Sequence, residues 1–213
     1  MNPVFPINDV VLHRVNSPRR ILSPVYGNEI WQISQDEFAM QVEGIGSFYA
    51  CNGNEVEYAP AEGATKESVE LYLNGSVYGA ILHQRNILPL HGSSFIWRGQ
   101  GIMLCGDSGS GKSSLTAAFC MNGGQFLTDD VSPVIFNISH PGVMPLSDKM
   151  KLWDDSLNQL EQEKSTLTAV RNGEEKYYFP VKKRHFLSYP LSMIIIIESS
   201  GILSASARQL KGV

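Results

Sequence analysis

Residues 1–62 carry short apolar runs that are separated by polar and glycine-containing turns. The runs "EFAMQV" (Glu37–Val42) and "SFYAC" (Ser47–Cys51) have the composition of β-strands. The pair Asn52-Gly53 follows, and Asn-Gly between β-forming residues is a strong hairpin signal. The pattern predicts a small β-rich N-terminal region over residues 1–62.

Helical spacing begins after this region, in the segment Lys66–Arg85. Thr65 is a suitable N-cap for such a helix. Gly75 and Gly79 lower the helix propensity, and we expect them to mark close helix packing. The apolar positions that recur at helical spacing are Val69, Leu73, Val77, Ala80 and Ile81.

The next block predicts a hairpin, a short helix and a further strand. "HGSSFIW" and "GIMLC" are two strands joined by a tight turn at Arg98-Gly99-Gln100. "KSSLTAAFCM" is a helix that ends at Asn122-Gly123-Gly124, and "QFLT" is a strand that ends at Asp129-Asp130. The common nucleotide-binding folds place a parallel strand before this helix, whereas this chain has an antiparallel hairpin there. We therefore expect an α/β fold with a mixed sheet.

The C-terminal third has a weaker pattern. "SHPGVMPLSDKMKLWDD" contains two prolines and predicts a loop, with Trp153 in a packing role and a helix around Asp154–Lys164. "EKYYFPVKKRHF" predicts a strand followed by a basic segment, and "SMIIIIES" predicts a buried strand.

Composition narrows the class of protein. The chain has 213 residues, of which 43% are hydrophobic and 18% charged, as in globular proteins. The net charge of −4 argues against a nucleic-acid partner, which usually requires a basic excess. The N-terminus does not resemble a signal peptide, and the longest apolar run, Met193–Ile197, is too short to cross a bilayer. We therefore expect a cytoplasmic protein with no membrane partner, in which Cys51, Cys105 and Cys120 are reduced thiols.

The candidate chemistry centres on "GDSGSGKS", residues Gly106–Ser113, which matches the phosphate-binding pattern G-x-x-x-x-G-K-[ST]. Glycines allow the backbone N–H groups to surround an anion, and the following helix points its positive end at that anion. Lys112 supplies a charge for the β- and γ-phosphates, and the Ser113 hydroxyl suits Mg²⁺. The motif predicts nucleotide or pyrophosphate binding by Gly106, Asp107, Ser108, Gly109, Ser110, Gly111, Lys112, Ser113 and Ser114.

Two further positions are candidates for the same site. Asp129-Asp130 end a strand at the edge where ligands gather, so one carboxylate is expected to support Mg²⁺ and the other to act as a base. The alternative is an acidic turn in solvent. His91 falls opposite about Asp107 if the hairpin turn is centred near Gly99, which predicts an active-site position for it.

Two other charged groups remain open between alternatives. Asp154 and Asp155 are either a second metal site or the N-terminal acids of a helix. A basic cluster is either a binding surface for phosphates or an acidic substrate, or an ordinary solvated face. Its members are Lys176, Lys182, Lys183 and Arg184.

The residues Leu88–Val131 resemble the bacterial HPr kinase/phosphorylase family, which shows a "HG" strand, a hairpin, "ITGDSGxGKS" and "LIADD". This chain has His91-Gly92, "LCGDSGSGKS" and "FLTDD" in the same order. The resemblance implies a phosphoenolpyruvate carboxykinase-like P-loop core. It also implies that His91, Lys112 and Asp130 are catalytic, with Asp130 as proton acceptor, and that Ser113 binds Mg²⁺.

The chain also departs from this family. The later signature "LExRGxGI", which supplies a glutamate metal ligand, has no clear counterpart, and "MPLSDKMKLWDD" stands in roughly its place. "GSVYGAILHQRNILPLH" is more similar to shorter HPr-kinase-like proteins, some of which phosphorylate a serine of a lasso-peptide precursor. The relatives continue beyond the equivalent of "RQLKGV", so the resemblance implies a C-terminally truncated chain, and it also implies a homo-oligomer such as a hexamer.

These patterns together predict a kinase domain over residues 63–213. We expect ATP and Mg²⁺ as its ligands and a serine-bearing peptide or small protein as its partner. Asp130 would be the base and Asp129 would support the metal. A regulatory nucleotide-binding module without transferase activity and a small-molecule kinase are the alternatives.

Overall fold

The structure is a computed structural model that describes residues 3, 5–136, 140–146, 149–170, 173, 175–181, 188–198 and 206–210. It is a mixed α/β protein in which three sheets account for most of the regular structure. The strands are β1 (Val11–Arg14), β2 (Tyr26–Gly27), β3 (Trp31–Ile33), β4 (Glu37–Val42), β5 (Gly46–Cys51), β6 (Glu55–Pro60), β7 (Leu88–Trp97), β8 (Gln100–Gly106), β9 (Gln125–Thr128), β10 (Val131–Phe136), β11 (Pro141–Val143), β12 (Lys149–Trp153), β13 (Thr168–Ala169), β14 (Lys176–Pro180) and β15 (Tyr189–Ile197). The helices are α1 (Lys66–Tyr72), α2 (Tyr78–Gln84), α3 (Lys112–Met121) and α4 (Asp154–Gln159).

The first sheet has six strands in the order β1-β6-β5-β4-β3-β2. Each strand from β2 to β5 pairs antiparallel with the next strand along the chain, and β1 pairs parallel with β6. Asn52 and Gly53 both have positive φ, at 54° and 69°, as the predicted Asn-Gly turn requires. The strands that the sequence predicted in this region are confirmed.

The predicted helix over Lys66–Arg85 is confirmed with one irregularity, a π-helical segment at Leu73–Val77 between α1 and α2. Thr65 accepts a hydrogen bond from the Ser68 N–H and is the N-cap. A Cβ atom at Gly75 or Gly79 would meet nothing within 4 Å, so the expectation that they mark close packing is wrong. The buried face of this helical segment packs on the first sheet through Val69, Leu73, Val77, Tyr78, Ile81 and Leu82.

The second sheet has the order β10-β11-β15-β8-β7-β9, with an additional pairing between β10 and β7. Its β7–β8 hairpin is antiparallel and β8 pairs parallel with β15, so the sheet is mixed, as predicted. The hairpin turn is a two-residue turn, because Trp97 pairs with Gln100 and only Arg98 and Gly99 lie between them. Both have positive φ, at 49° and 80°, which is the geometry of a type I′ turn.

Strand β15 corrects the prediction of a buried strand at "SMIIIIES". Met193, Ile194 and Ile196 are 48%, 48% and 52% exposed. Within the described part of the chain, β15 pairs with β8 along Leu191–Ile197, whereas β11 reaches only its first two residues. The apolar sequence of β15 therefore did not predict its burial, because burial depends on which other elements pack over a strand.

The third sheet has the order β12-β14-β13 and lies partly in the segment predicted to be a loop. The two prolines fall before β12, so "KMKLW" is free to form a strand. Helix α4 is shorter than the predicted Asp154–Lys164. The apolar face of the sheet packs against Ala117 and Phe126 through Met150, Leu152, Tyr177 and Phe179.

The division into residues 1–62 and 63–213 stays a prediction. The helical segment that follows residue 62 packs on the first sheet, and Val131 and Leu146 from the later part of the chain pack against the same core. No helix among the described residues has the length and apolar character needed to span a bilayer.

Candidate active site

The glycine-rich loop joins β8 to α3 and closes against β15. Gly106 has φ 143°, and a Cβ atom there would lie 2.5 Å from the Ile197 carbonyl oxygen, so only glycine fits without displacing that strand. Gly111, with φ 90°, is the N-cap of α3, which begins at Lys112. The loop therefore directs the first backbone N–H groups of a ten-residue helix at its own concavity, the arrangement that binds phosphate.

Lys112 is only 8% exposed and lies over this loop. Its Nζ donates hydrogen bonds to the carbonyl oxygens of Gly106 and Asp107, both at 2.8 Å. An ammonium group has three donors, so one remains for an anion in the loop. The geometry places the predicted phosphate-binding charge at the loop itself.

The hydroxyl groups of the loop differ in their partners. The Ser110 Oγ is buried and has no hydrogen-bond partner among the described residues. The Ser114 Oγ lies 2.6 Å from the Ser156 Oγ of α4. The hydroxyls of Tyr78 and Thr116 are buried without a partner in the same way, so this property does not by itself distinguish the loop. Asp107, Ser108 and Gly109 form the exposed rim of the loop.

Asp129 connects the loop helix with the third sheet. Its Oδ1 accepts a hydrogen bond from the Ser113 hydroxyl, and its Oδ2 accepts one from the Lys151 backbone N–H, both at 2.8 Å. Burial, together with the neighbouring Asp130 carboxylate, raises the pKa of Asp129. The Ser113–Asp129 contact was not predicted from the sequence, which had treated the two side chains only as separate metal-supporting groups.

The donor set of Ser113 and Asp129 fits Mg²⁺. Magnesium is usually held by one or two carboxylates together with phosphate oxygens and water, rather than by a protein cage. The described residues contain no cluster of three or more His, Cys, Asp and Glu side chains with metal-site geometry. Ser113 and Asp129 would contribute oxygen ligands, directly or through water.

Asp130 is the accessible member of the acidic pair. Its side chain is 42% exposed, and its Oδ2 lies 2.5 Å from the Lys151 Nζ. Its backbone has φ 69°, an uncommon conformation for a residue other than glycine and one that is often found at functional sites. Burial acts to raise the pKa of Asp130, but Lys151, with contributions from Lys176 and His91, lowers it overall. The carboxyl group is therefore held in its ionised form.

His91 lies beside Asp130, although not through the predicted pairing. The hairpin pairs Gly92 with Cys105, so its register differs by one residue from the expectation that put His91 opposite Asp107. The reason is the two-residue turn, which replaces the predicted turn of Arg98-Gly99-Gln100. On its other side β7 pairs with β10, where His91 is opposite Val131, and the Gly92 N–H donates to the Asp130 carbonyl oxygen at 3.1 Å.

Buried hydroxyl groups join the strands that carry the acidic pair. The Thr128 Oγ1 is hydrogen-bonded to the hydroxyls of Ser94 and Ser132. Ser132 also donates to the Gly92 carbonyl oxygen at 2.9 Å, and Ser93 donates to the Thr128 carbonyl oxygen at 3.2 Å. These bonds join β7, β9 and β10 and fix the strand ends that carry His91 and Asp129-Asp130.

Lys151 is the site residue that sequence reasoning missed. It was hidden because its segment was interpreted as a loop on account of the prolines. The detectable signal was the alternation of polar and apolar residues in "KMKL", the first four residues of β12, which is typical of a strand with one buried face. Of the predicted basic cluster, Lys176 lies near Asp130, whereas Lys182, Lys183 and Arg184 lie outside the described residues.

The pair Asp154 and Asp155 forms the first turn of α4, and the described residues show no metal-type cluster around them. Asp154 is paired with the Lys164 Nζ at 2.6 Å and accepts a hydrogen bond from the Asn158 side chain. Acids at a helix N-terminus interact favourably with the helix dipole, which accounts for their position.

No protein-family model matches this chain, and no curated protein matches it. Among solved structures, the HPr(Ser) kinase/phosphatase from Coxiella burnetii is similar over 55% of this chain and 69% of its own, with 14% sequence identity and a TM-score of 0.37. A similarity this distant assigns no function, so the function has to be inferred from the residues of the site.

Proposed function

We propose that this chain is an ATP-dependent kinase with a phosphoenolpyruvate carboxykinase-like P-loop core, which phosphorylates a serine hydroxyl of a peptide or small protein. A lasso-peptide precursor is one substrate of this class that the sequence resemblance suggests. The homo-oligomer that the same resemblance implies is part of the proposal.

One observation carries the proposal. The Ser113–Asp129 hydrogen bond connects the glycine-rich loop to the acidic pair, and the next residue, Asp130, presents an accessible carboxylate held ionised by Lys151. An anion-binding loop alone is compatible with many functions, whereas an adjacent ionised and accessible carboxylate is what phosphoryl transfer to a hydroxyl requires.

In the proposed reaction, Asp130 accepts the proton of the acceptor hydroxyl as that oxygen forms a bond to the γ-phosphorus. The bond between the γ-phosphorus and the β–γ bridging oxygen breaks, and ADP leaves with its electron pair. Lys112 and the loop N–H groups would hold the β- and γ-phosphates, and His91 would orient the acceptor. Ser113 and Asp129 would hold Mg²⁺, which neutralises charge on the phosphate oxygens when bound.

The test is to incubate the purified chain with Mg-ATP and a panel of serine peptides and to measure the mass gain of one phosphoryl group. The same peptides with alanine in place of serine are the substrate controls. Asp130→Asn is expected to lower kcat by about 10²- to 10⁴-fold, because the general base is lost. Its affinity for ATP should stay near that of the wild type.

A matched control is Asp155→Asn, which removes an exposed carboxylate on α4 that belongs to no part of the proposed site. Wild-type transfer by Asp130→Asn would refute the assigned base. Binding of ATP without transfer to any peptide or to free serine would indicate the regulatory module instead. Transfer to free serine but to no peptide would indicate a small-molecule kinase.

A further inference from the structure

The third sheet has two chemically different faces. Residues of β12 and β14 alternate between them, and Lys151 pairs with Tyr178 while Trp153 pairs with Lys176. The inner face is apolar and packs against α3, as described above. The outer face, which we call the lysine face, consists of Lys149, Lys151, Trp153, Lys176 and Tyr178.

Cations and aromatic rings are interleaved on the lysine face. The Lys149 Nζ lies 5.5 Å from the centre of the Tyr178 ring, and the Lys176 Nζ lies 5.2 Å from that of Trp153. Trp153, for which the sequence predicted a packing role, is 47% exposed and contacts Lys176. Lysines held over aromatic rings keep their charge at a defined position on the surface.

The lysine face borders the proposed site at its acceptor side. Its central member, Lys151, is paired with Asp130, the residue proposed to deprotonate the acceptor hydroxyl. Lys112, which would bind the phosphates, belongs instead to the glycine-rich loop. A chain that presents its serine to Asp130 would therefore continue over the lysine face.

The charge of this face contrasts with that of the protein. The chain as a whole carries a net charge of −4, yet three lysines share this one small sheet face, and one of the three, Lys151, is paired with Asp130. Asp154, which follows Trp153, is paired with Lys164 rather than with a lysine of this face. A local basic surface on an acidic protein attracts an acidic partner and contributes to its specificity.

We propose that the lysine face binds an acidic peptide segment that flanks the acceptor serine. This inference rests on the proposed kinase function and specifies its substrate class. Lys149 and Lys176 contact the carboxylates of that segment, and Trp153 and Tyr178 contact its apolar groups. Lys151 keeps its ion pair with Asp130 and so lies between the bound segment and the reacting hydroxyl.

The experiment compares two fluorescein-labelled serine peptides of equal length, one with Glu and Asp residues beside the serine and one with Gln and Asn in their place. Dissociation constants are measured by fluorescence anisotropy without nucleotide, and KM and kcat are measured with Mg-ATP. Lys149→Gln/Lys176→Gln is the test variant, and Lys66→Gln on α1 is the matched control.

The acidic peptide should bind the wild type more tightly than the neutral one, and this preference should weaken at high salt. The double variant should weaken acidic-peptide binding about 5- to 30-fold, from two partly screened charge contacts. The weaker binding should also appear as a higher KM for the peptide, while the dissociation constant of ATP stays that of the wild type. Lys66→Gln should behave as the wild type.

Equal affinity of the wild type for both peptides would overturn the inference. So would a double variant that weakens ATP binding instead, because the face would then belong to the nucleotide. Charge-dependent binding of the acidic peptide without any phosphoryl transfer would support the binding surface and refute the kinase function. Transfer that is indifferent to acidic residues would support the kinase and refute this surface.

Discussion

Asp130 combines an unusual backbone conformation, an accessible side chain and an ion pair. Its backbone has φ 69°, its side chain is 42% exposed, and its carboxylate is paired with a lysine from another sheet. The positive φ follows from its place between β9 and β10, where the chain must turn sharply. Aspartate tolerates this conformation better than most residues, so the turn and the chemistry are compatible at one position.

The pH dependence of stability should report the Asp130–Lys151 pair. A lowered pKa in the folded state means that the pair stabilises the fold above the unfolded-state pKa, and that this stabilisation is lost as the pH falls through the folded-state pKa. Asp130→Asn should cost no more than about 1 kcal/mol at neutral pH, because the carboxylate is partly exposed. The difference in free energy of unfolding from the wild type should disappear in acid.

Denaturant unfolding over a pH series measures this difference. Repeating it in a Lys151→Met background is the control, since the effect of Asp130→Asn should then shrink at neutral pH. A difference that grows as the pH falls would contradict the direction of the pKa shift.

Lys112 should matter for nucleotide binding rather than for folding alone. Lys112→Ala removes a buried ammonium that contacts the loop and would contact the phosphates, so ATP affinity should fall about 10- to 100-fold. Isothermal titration calorimetry measures this change. Lys66→Ala, which removes a lysine paired with Glu70 on α1, is the control, and equal affinities of the two variants would contradict the phosphate-loop assignment.

At the level of elements, the helical segment Lys66–Gln84 carries glycines that packing does not require. A Cβ atom at Gly79 would meet nothing within 4 Å, and Gly79 lies in α2. Gly79→Ala should therefore raise the free energy of unfolding by about 0.5–1 kcal/mol, because alanine loses less backbone entropy. Thermal unfolding of the variant and the wild type measures this change in the free energy of unfolding. Gly106→Ala is the contrasting variant and should be destabilising, since its Cβ would collide with the Ile197 carbonyl.

Several elements were predictable because local signals agreed with each other. The α3 helix occupies the predicted "KSSLTAAFCM", and β9 occupies "QFLT", since a glycine-rich stretch stands on each side of the helix. Strand β12 was missed because nearby prolines were given more weight than its alternation. The register of the β7–β8 hairpin was wrong by one residue because turn length is not evident from composition.

At the level of the whole molecule, the first sheet and its helices form one apolar cluster, and residues of the later part of the chain pack against it. Leu73 is fully buried in it, and Val131, next to Asp130, packs against the same cluster. Leu73→Ala should lower the free energy of unfolding by about 2–5 kcal/mol through the cavity it leaves. Because these contacts join the first sheet to the later part of the chain, we expect one cooperative transition, measured by calorimetry and by tryptophan fluorescence. Two separate transitions would contradict this.

The local elements of the candidate site could be predicted from the amino-acid sequence alone. The loop Gly106–Ser113, the helix after it and the acids Asp129-Asp130 were recognisable, because backbone freedom, helix start signals and strand ends are local properties. Tertiary structure decided the rest. It brought Lys151 to Asp130 and Ser113 to Asp129, and it left β15 exposed, since pairing between distant strands depends on which surfaces pack together.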